Sequence, residues 1–346
     1  MISSVLIFLS LINAFANGVY SIQTTVDPVV FDGDTAIRIA SSHPDEPSLA
    51  IAGASGLYAS EDGGWSKIGP APPDGEIAWA GGDSGLMLAG DHAPCMRGGP
   101  PSDLFRSSDG GASWSAVDGV TEVRPLAIWE KPAIALGASC PGLQVSRDDG
   151  VSWSLVPGIE QGWELTAFAE IPQADGGPVV LVGLTGEGGT TYLRSIDFSD
   201  PATPVVSSEL RIYYALGGLA GFDDTYVLAA IDGVWISDDA GSVWERSAVG
   251  LEEVVLEQDP AQSGFPEDLD PRNFGLFAAV ILSGEKPGMA VGSVDGLYVR
   301  WDDRELWTKV DGTAGRVHQI AASADASLIV YATDEGVFQV DIADSP

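Results

Sequence analysis

The chain has 346 residues, of which 45% are hydrophobic, enough for one large domain with a continuous core or for two average domains. Sixteen lysines and arginines against 50 aspartates and glutamates give a net charge of −34, a field that repels phosphate backbones and argues against nucleic acid as a partner. The acidity fits a solvated, soluble exported surface; cation binding or life in high salt is the alternative.

The N-terminal residues indicate export. An apolar run from Val5 to Ile12 precedes Ala14-Phe15-Ala16, the small-x-small pattern of a signal peptidase site. We therefore predict a signal peptide over residues 1–16 and a secreted, periplasmic or cell-surface protein. Residues 1–4 carry no positive side chain, so an uncleaved anchor or a buried first strand are the alternatives. No later run reaches the roughly 18 apolar residues of a membrane helix, so no membrane span is expected in the mature chain.

A short motif, S-x-D-x-G-x-x-W, recurs along the chain. An Asp bonds its own backbone two residues on, Gly adopts positive φ at little cost, and the Ser hydroxyl adds a local hydrogen bond, so the motif specifies a turn. The Trp that follows is expected to fold back under the hairpin. Three copies are complete and the first is two residues shorter; their residues are Ser60, Asp62, Gly64, Trp65, Ser107, Asp109, Gly111, Trp114, Ser146, Asp148, Gly150, Trp153, Ser237, Asp239, Gly241 and Trp244.

The motif belongs to a longer repeat. Each copy follows a Gly or Asp turn that enters a short strand, and three degenerate copies keep this order around Ser195, Arg300 and Val340. The copies are about 40 to 50 residues apart, except between Ser237 and Arg300, where an acidic, Pro-rich stretch over 252–271 intervenes. A period in the forties made of short apolar strands is typical of β-propeller blades. The 43 glycines, 22 prolines and the lack of helical periodicity agree with an all-β fold.

The motif resembles the Asp box, or BNR repeat, of sialidases, sortilin-type receptors and photosystem II assembly factor-like propellers. The resemblance implies a single β-propeller domain over 17–346 with four-stranded blades, in which the boxes support the fold. Seven blades are predicted, with six or eight as alternatives. The last blade lacks an outer strand, which the N-terminal segment 19–31 is expected to supply, closing the ring. The predicted blades lie near 32–69, 75–118, 122–157, 163–208, 210–248, 274–311 and 315–342.

The chain contains two cysteines, Cys95 and Cys140. Both fall in the link between the second and third strands of neighbouring blades, and such links lie side by side on one face. We predict a disulfide, which export would permit. Two free thiols are the alternative, and a metal site would need more ligands than these two and His92. No metal and no cofactor are predicted.

Candidate binding residues cluster where the predicted inner strands begin, at the mouth of the central channel. Arg124, Arg211 and Arg316 occupy equivalent places there, and together they would bind a carboxylate such as that of a sialic acid. The alternative is that each Arg neutralises a neighbouring Glu. Tyr213 lies two residues past Arg211. His318 alternates with Arg316 and would face the channel unless it is a satisfied core histidine.

These observations favour a binding or scaffold module with a glycan or protein ligand at the channel mouth, expected to be a monomer. The alternative is a glycoside hydrolase of sialidase-like or xyloglucanase-like type. That reaction needs positioned carboxylates. With 50 acidic residues, none is singled out by its spacing, so no catalytic residue is assigned. The long acidic loop over 252–271 is either functional or simply mobile.

Overall fold

The computed structural model describes residues 26–31, 34–41, 49–61, 64–73, 75–80, 85–91, 101–130, 133–159, 164–171, 178–185, 190–213, 215–255, 275–283, 287–302, 304–323 and 326–342. In these ranges the regular structure is all strand, arranged as seven antiparallel sheets. The chain is a seven-bladed β-propeller, as the sequence predicts. The predicted signal peptide, residues 1–16, lies outside the described residues. No helix in the described part of the chain is long and apolar enough to cross a membrane.

Each blade takes its strands in sequence order from the inside of the ring outwards. In blades 1 to 4 the strands are β3 Asp34–Ser41, β4 Leu49–Gly53, β5 Gly56–Glu61, β6 Gly64–Gly69; β7 Glu76–Trp79, β8 Met87–Gly90, β9 Asp103–Ser107, β10 Ser115–Thr121; β11 Arg124–Trp129, β12 Ile134–Ser139, β13 Gly142–Ser146, β14 Ser154–Leu155; β15 Glu164–Ile171, β16 Val179–Thr185, β17 Thr190–Asp197, β18 Val205–Tyr213.

The remaining strands build blades 5 to 7 and the N-terminal closure. They are β19 Ala215–Phe222, β20 Thr225–Ala230, β21 Gly233–Ser237, β22 Glu245–Ser247; β23 Leu276–Leu282, β24 Gly288–Ser293, β25 Leu297–Trp301, β26 Thr308–Lys309; β27 Val317–Ala322, β28 Leu328–Thr333, β29 Gly336–Asp341; and, at the N-terminus, β1 Val26–Pro28 and β2 Val30–Phe31.

The N-terminal segment closes the ring. Strand β1 pairs antiparallel with β29, with Val26 opposite Val340, and so becomes the outer strand of blade 7. Strand β2 then pairs with β3 of blade 1. The first and last blades are therefore held together by one short segment, and β29 has no open edge at this place.

The core lies between blades. Among the described residues there are seven apolar clusters, and each joins one blade to its neighbour around the ring. The second strands, such as Leu49–Gly53 and Ile134–Ser139, are buried along their whole length because they are covered on both faces. The outer strand Ser115–Thr121 is mostly exposed. The closed circle of junctions makes the ring one cooperative unit.

One predicted blade boundary is wrong. The sequence predicts that the inner strand of blade 5 begins at Arg211, but strand β18 of blade 4 continues to Tyr213, with Arg211 opposite Tyr192 of β17. The inner strand of blade 5 begins at Ala215. The long third strand β17 provides pairing partners up to Tyr213, so the outer strand extends further than the repeat length suggests.

Candidate functional site

Most inner strands carry a register shift close to their first residues. In blade 6 the shift falls between Leu276 and Ala278, and in blade 7 between Val317 and Gln319. A bulge leaves one residue outside the pairing ladder and re-aims its side chain. The residues between these pairs are Phe277 and His318, and both line a cavity of about 230 Å³ among the inner strands. We call this space the channel-mouth cavity.

Arg316 stacks on Phe277, an aromatic residue that lines the channel-mouth cavity. The guanidinium carbon of Arg316 lies 3.9 Å from the centre of the Phe277 ring, which is cation–π geometry between blades 6 and 7. Arg316 and His318 are both exposed. Among the described residues, no carboxylate lies within ion-pair distance of Arg316. The guanidinium therefore keeps an outward surface whose positive charge no described acid neutralises.

The Gln319 amide, next to His318 in strand β27, also lines the cavity. The Gln319 side chain accepts a hydrogen bond from the backbone N–H of Ile39 in blade 1 at 3.1 Å. Its amide nitrogen donates to Glu76 Oε2 in blade 2 at 2.8 Å. Gln319 thus links three consecutive blades, 7, 1 and 2, around the ring. Sequence reasoning missed Gln319 and Phe277, because their roles depend on contacts between blades that are distant in the chain.

The other predicted binding residues do not join this group. Arg124 donates from Nη2 to the carbonyl oxygen of Leu165 at 2.7 Å, across the junction of blades 3 and 4, and its buried Nε has no partner in the described part of the chain. Its guanidinium therefore serves the junction between the blades. Arg211 and Tyr213 lie in the outer strand of blade 4, whereas the prediction put them on an inner strand. Of the five predicted residues, His318 lines the cavity and Arg316 stacks on Phe277 in its wall.

The three complete boxes use their polar groups internally. In blade 2, the Ser107 hydroxyl donates to Asp109 Oδ1 at 2.8 Å and accepts from the Gly111 N–H at 2.9 Å. Asp109 also accepts from the backbone and hydroxyl of Ser113. The hydroxyl of Ser113 is the main reason why the pKa of Asp109 lies below its ordinary value. The same Ser-to-Asp and Gly-to-Ser bonds recur in the boxes that begin at Ser146 and Ser237.

The shorter first copy has a different geometry. Ser60 pairs with Trp65 and Glu61 with Gly64, so Gly64 belongs to strand β6. The Trp65 indole donates to Gln339 Oε1 of blade 7 at 3.2 Å, whereas Trp153 and Trp244 donate to the carbonyl of the Gly in their own box. Trp65 therefore helps to close the ring. Asp62 lies outside the described residues.

The structure describes one of the two predicted disulfide cysteines and only the first residues of the long acidic loop. Cys140 is disulfide-bonded. Its predicted partner Cys95 lies outside the described residues, so the pairing itself stays a prediction. Of the acidic stretch over 252–271, residues 252–255 are described and the remainder is not. Among the described residues, no group of three His, Cys, Asp or Glu side chains is arranged to hold a metal ion.

A second and larger opening lies between blades 5 and 6, at the end of the ring that carries the box turns. It consists of cavities of about 610 Å³ and 310 Å³. The sequence predicts a binding site at the mouth of the central channel and does not predict this opening. A signal was present in the sequence: blade 6 has Arg300 at the position that Ser occupies in the complete boxes.

Comparisons with known proteins support the fold and little else. No protein-family model matches the sequence, and no curated protein matches it. Solved structures match in large number, among them the GH74 xyloglucanase from Xanthomonas campestris, with a TM-score of 0.61 and 16% sequence identity. The match covers 93% of this chain and 54% of the xyloglucanase chain. The chain thus spans about half the length of that enzyme, and at this identity the likeness shows the propeller fold alone.

Proposed function

We propose that the protein is an exported, non-catalytic binding module that recognises a carboxylate-bearing glycan at the channel-mouth cavity. The single observation that carries the proposal is the exposed Arg316 guanidinium, held over Phe277 and without a carboxylate partner among the described residues. In a chain with 50 acidic residues and 16 basic ones, an arginine that pairs with no described acid is available to an external anion.

The geometry supplies what such recognition needs. Stacking on Phe277 limits the rotamers of Arg316, so less entropy is lost when a ligand binds. His318 and the amide of Gln319 add polar groups beside it, and the bulges in β23 and β27 set the direction of Phe277 and His318. The cavity of about 230 Å³ is below the usual size of a small-molecule pocket, which suits the terminal sugar of a longer chain.

Glycoside hydrolysis at the channel-mouth cavity is the second candidate function. The propeller fold that this chain shares with a xyloglucanase favours this second candidate. Glycoside hydrolysis requires two carboxyl groups about 5 to 10 Å apart, flanking the bond that breaks. The described residues that line the channel-mouth cavity include no Asp or Glu, and Glu76, which contacts the lining residue Gln319, accepts a hydrogen bond from its amide. Binding without turnover is therefore the proposal that the lining supports better.

A glycan array probed with the purified chain tests the proposal. Binding to carboxylated glycans should fall about tenfold or more in Arg316→Ala, the loss expected for one charge-assisted contact. The control Arg147→Ala removes the same charge from the exposed box turn of blade 3 and should bind like the wild type. Equal binding by both variants, or a preference for neutral glycans, would refute the proposal. Release of sugar from a sialoside or a glucan would favour the hydrolase.

A further inference from the structure

A continuous groove separates blades 5 and 6 on the box face. The two cavities share Ile236, Asp238 and Arg300 in their walls, so they form one opening, which we call the 5–6 groove. One wall is the box turn and outer strand of blade 5. The other is the third strand of blade 6 and the turn that follows it. The groove lies on the opposite face from the channel-mouth cavity.

Blade 6 has no complete box at this junction. In blade 2 the box Gly111 lies against Leu57 of blade 1, and a Cβ added to Gly111 would be 2.4 Å from that side chain. In blade 3 the box Gly150 lies against Leu88 of blade 2, and a Cβ added to Gly150 would be 2.7 Å from that side chain. Each box thereby closes the junction with the preceding blade. In blade 6, Arg300 instead reaches across to blade 5, where Nη1 donates to Ser247 Oγ at 3.2 Å. This bridge spans the junction without filling it.

The box of blade 5 has a different residue type before its Trp. In blades 2 and 3, the residue before the box Trp is Ser113 or Ser152, and its hydroxyl donates to the box Asp at 2.6 Å. Blade 5 has Val243 there, which keeps the backbone bond to Asp239 at 2.7 Å but leaves its side chain 60% exposed at the rim of the groove. Blade 5 therefore presents an exposed apolar side chain where blades 2 and 3 have a hydroxyl that bonds the box Asp.

Other exposed apolar side chains line the same groove. Val249 is 57% exposed and Phe222 is 40% exposed, so with Val243 half of the six exposed large hydrophobic residues among the described residues border this opening. Single exposed apolar residues are ordinary, but three along one groove make a surface that a ligand would cover.

The charges of the groove are predominantly negative. Its walls carry six different carboxylates, four in the larger cavity and three in the smaller, with Asp238 common to both, against two arginines. Both arginines are engaged within the protein: Arg246 pairs with Asp232 at 3.7 Å, and Arg300 bonds Ser247 and the carbonyl of Arg304. The described carboxylates form no cluster of three that would hold a metal ion. Separated acids interleaved with apolar side chains suit a ligand whose positive charges are spaced along a chain.

We propose that the 5–6 groove binds an extended basic peptide segment of a partner protein. Its lysine or arginine side chains pair with rim carboxylates such as Asp238 and Glu305, and its apolar side chains cover Val243, Val249 and Phe222. The net charge of −34 steers such a segment towards the protein, while the apolar contacts hold it in this groove.

Fluorescence anisotropy with a labelled peptide of about twelve residues, in which Lys alternates with Leu, tests this proposal; when extended, such a peptide spans roughly 40 Å. The double charge reversal Asp238→Lys, Glu305→Lys should weaken binding at least about fivefold. The substitution Val243→Ser should weaken it about threefold, the expected loss of one partly covered apolar side chain. Because Val243→Ser restores the residue found in blades 2 and 3, its thermal midpoint should stay at or above that of the wild type.

The control must separate groove binding from attraction to any acidic surface. The variant Asp118→Lys, Asp334→Lys makes the same charge change at exposed positions of blades 2 and 7, away from the groove, and should bind like the wild type. Equal weakening by both double variants would overturn the proposal, as would unchanged binding in Val243→Ser, because either result means nonspecific electrostatic association. Absence of binding by the wild type, or equal binding of a Glu–Leu peptide, would also overturn it.

Discussion

The packing of the box glycines leads to a sharp prediction for Gly111→Ala. Gly111 has a φ of 86°, and a Cβ added there would lie 2.4 Å from Leu57 Cδ2 and 3.2 Å from the sulfur of Met87. Both of these side chains are fully buried in the junction of blades 1 and 2. The substitution therefore combines a backbone cost with an overlap in the core.

Gly110, the preceding residue, separates the two costs. It also has positive φ, 70°, but a Cβ there would have no neighbour within 4 Å. In blade 5 the equivalent residue is Ala240, with a φ of 55°, so alanine already occupies this conformation in the same protein. We expect Gly110→Ala to lower the free energy of unfolding by about 1 kcal/mol. Gly111→Ala should cost about 3 kcal/mol, because overpacking of a filled core adds roughly 2 kcal/mol.

Denaturant unfolding followed by tryptophan fluorescence measures both variants, provided that the slopes of the transitions agree. A second substitution, Leu57→Ala, provides the space that the new methyl group needs. The double variant Gly111→Ala, Leu57→Ala should therefore be more stable than the sum of the two single effects predicts. Equal destabilisation by Gly110→Ala and Gly111→Ala, with additive behaviour of the double variant, would refute the idea that the boxes close the junctions between blades.

Three further predictions concern the charge of Asp109, the junction of blades 3 and 4, and the closure of the ring by β1. The pKa of Asp109 is lowered by hydrogen bonds from Ser113. The stability that ionised Asp109 adds is therefore fully present above the ordinary pKa of 3.8 and is lost as the pH falls through the lower pKa of the folded state. In Asp109→Asn, the denaturant midpoint should depend less on pH between about pH 5 and 2 than in the wild type. Arg124→Ala should cost about 1–3 kcal/mol, because the Leu165 carbonyl loses its bond from Nη2, yet leave glycan binding unchanged. Removing residues 1–28 exposes the edge of β29, so size-exclusion chromatography should show oligomers; a monomeric, stable product would contradict the closing role of β1.

The repeat in the sequence was sufficient to predict the ring and its closure. Blade 7 has three strands in its own stretch of chain, and the only extended segment without a blade precedes Asp34, so pairing between β1 and β29 followed from counting strands. The boundary at Arg211 failed for a local reason. One residue, Tyr214, separates β18 from β19, and no Gly or Pro marks the turn from one blade to the next. A blade boundary without a Gly or Pro cannot be found from the positions of turn residues in the sequence.

The candidate sites were less predictable, because they depend on neighbours far apart in the chain. The register shifts that expose Phe277 and His318 arise from pairing with the second strands, and the stacking of Arg316 joins two blades. The sequence predicted Arg316 at the mouth but assigned it a Glu partner as the alternative; the described residues place an aromatic ring there instead. The 5–6 groove left only indirect traces, Arg300 and Val243, at positions where other blades keep Ser.

The two proposed sites should respond to salt in opposite directions. The overall field of a chain with a net charge of −34 repels a carboxylated glycan and attracts a basic peptide, while the contacts at each site act over a few ångströms. Raising the ionic strength from about 0.05 to 0.5 M shortens the Debye length from roughly 14 to 4 Å and removes most of the long-range field. Association of the glycan at Arg316 should then become faster, and association of the peptide in the 5–6 groove slower. If both ligands weaken alike, then the local contacts dominate for both, and the overall charge of the chain does not select between its two faces.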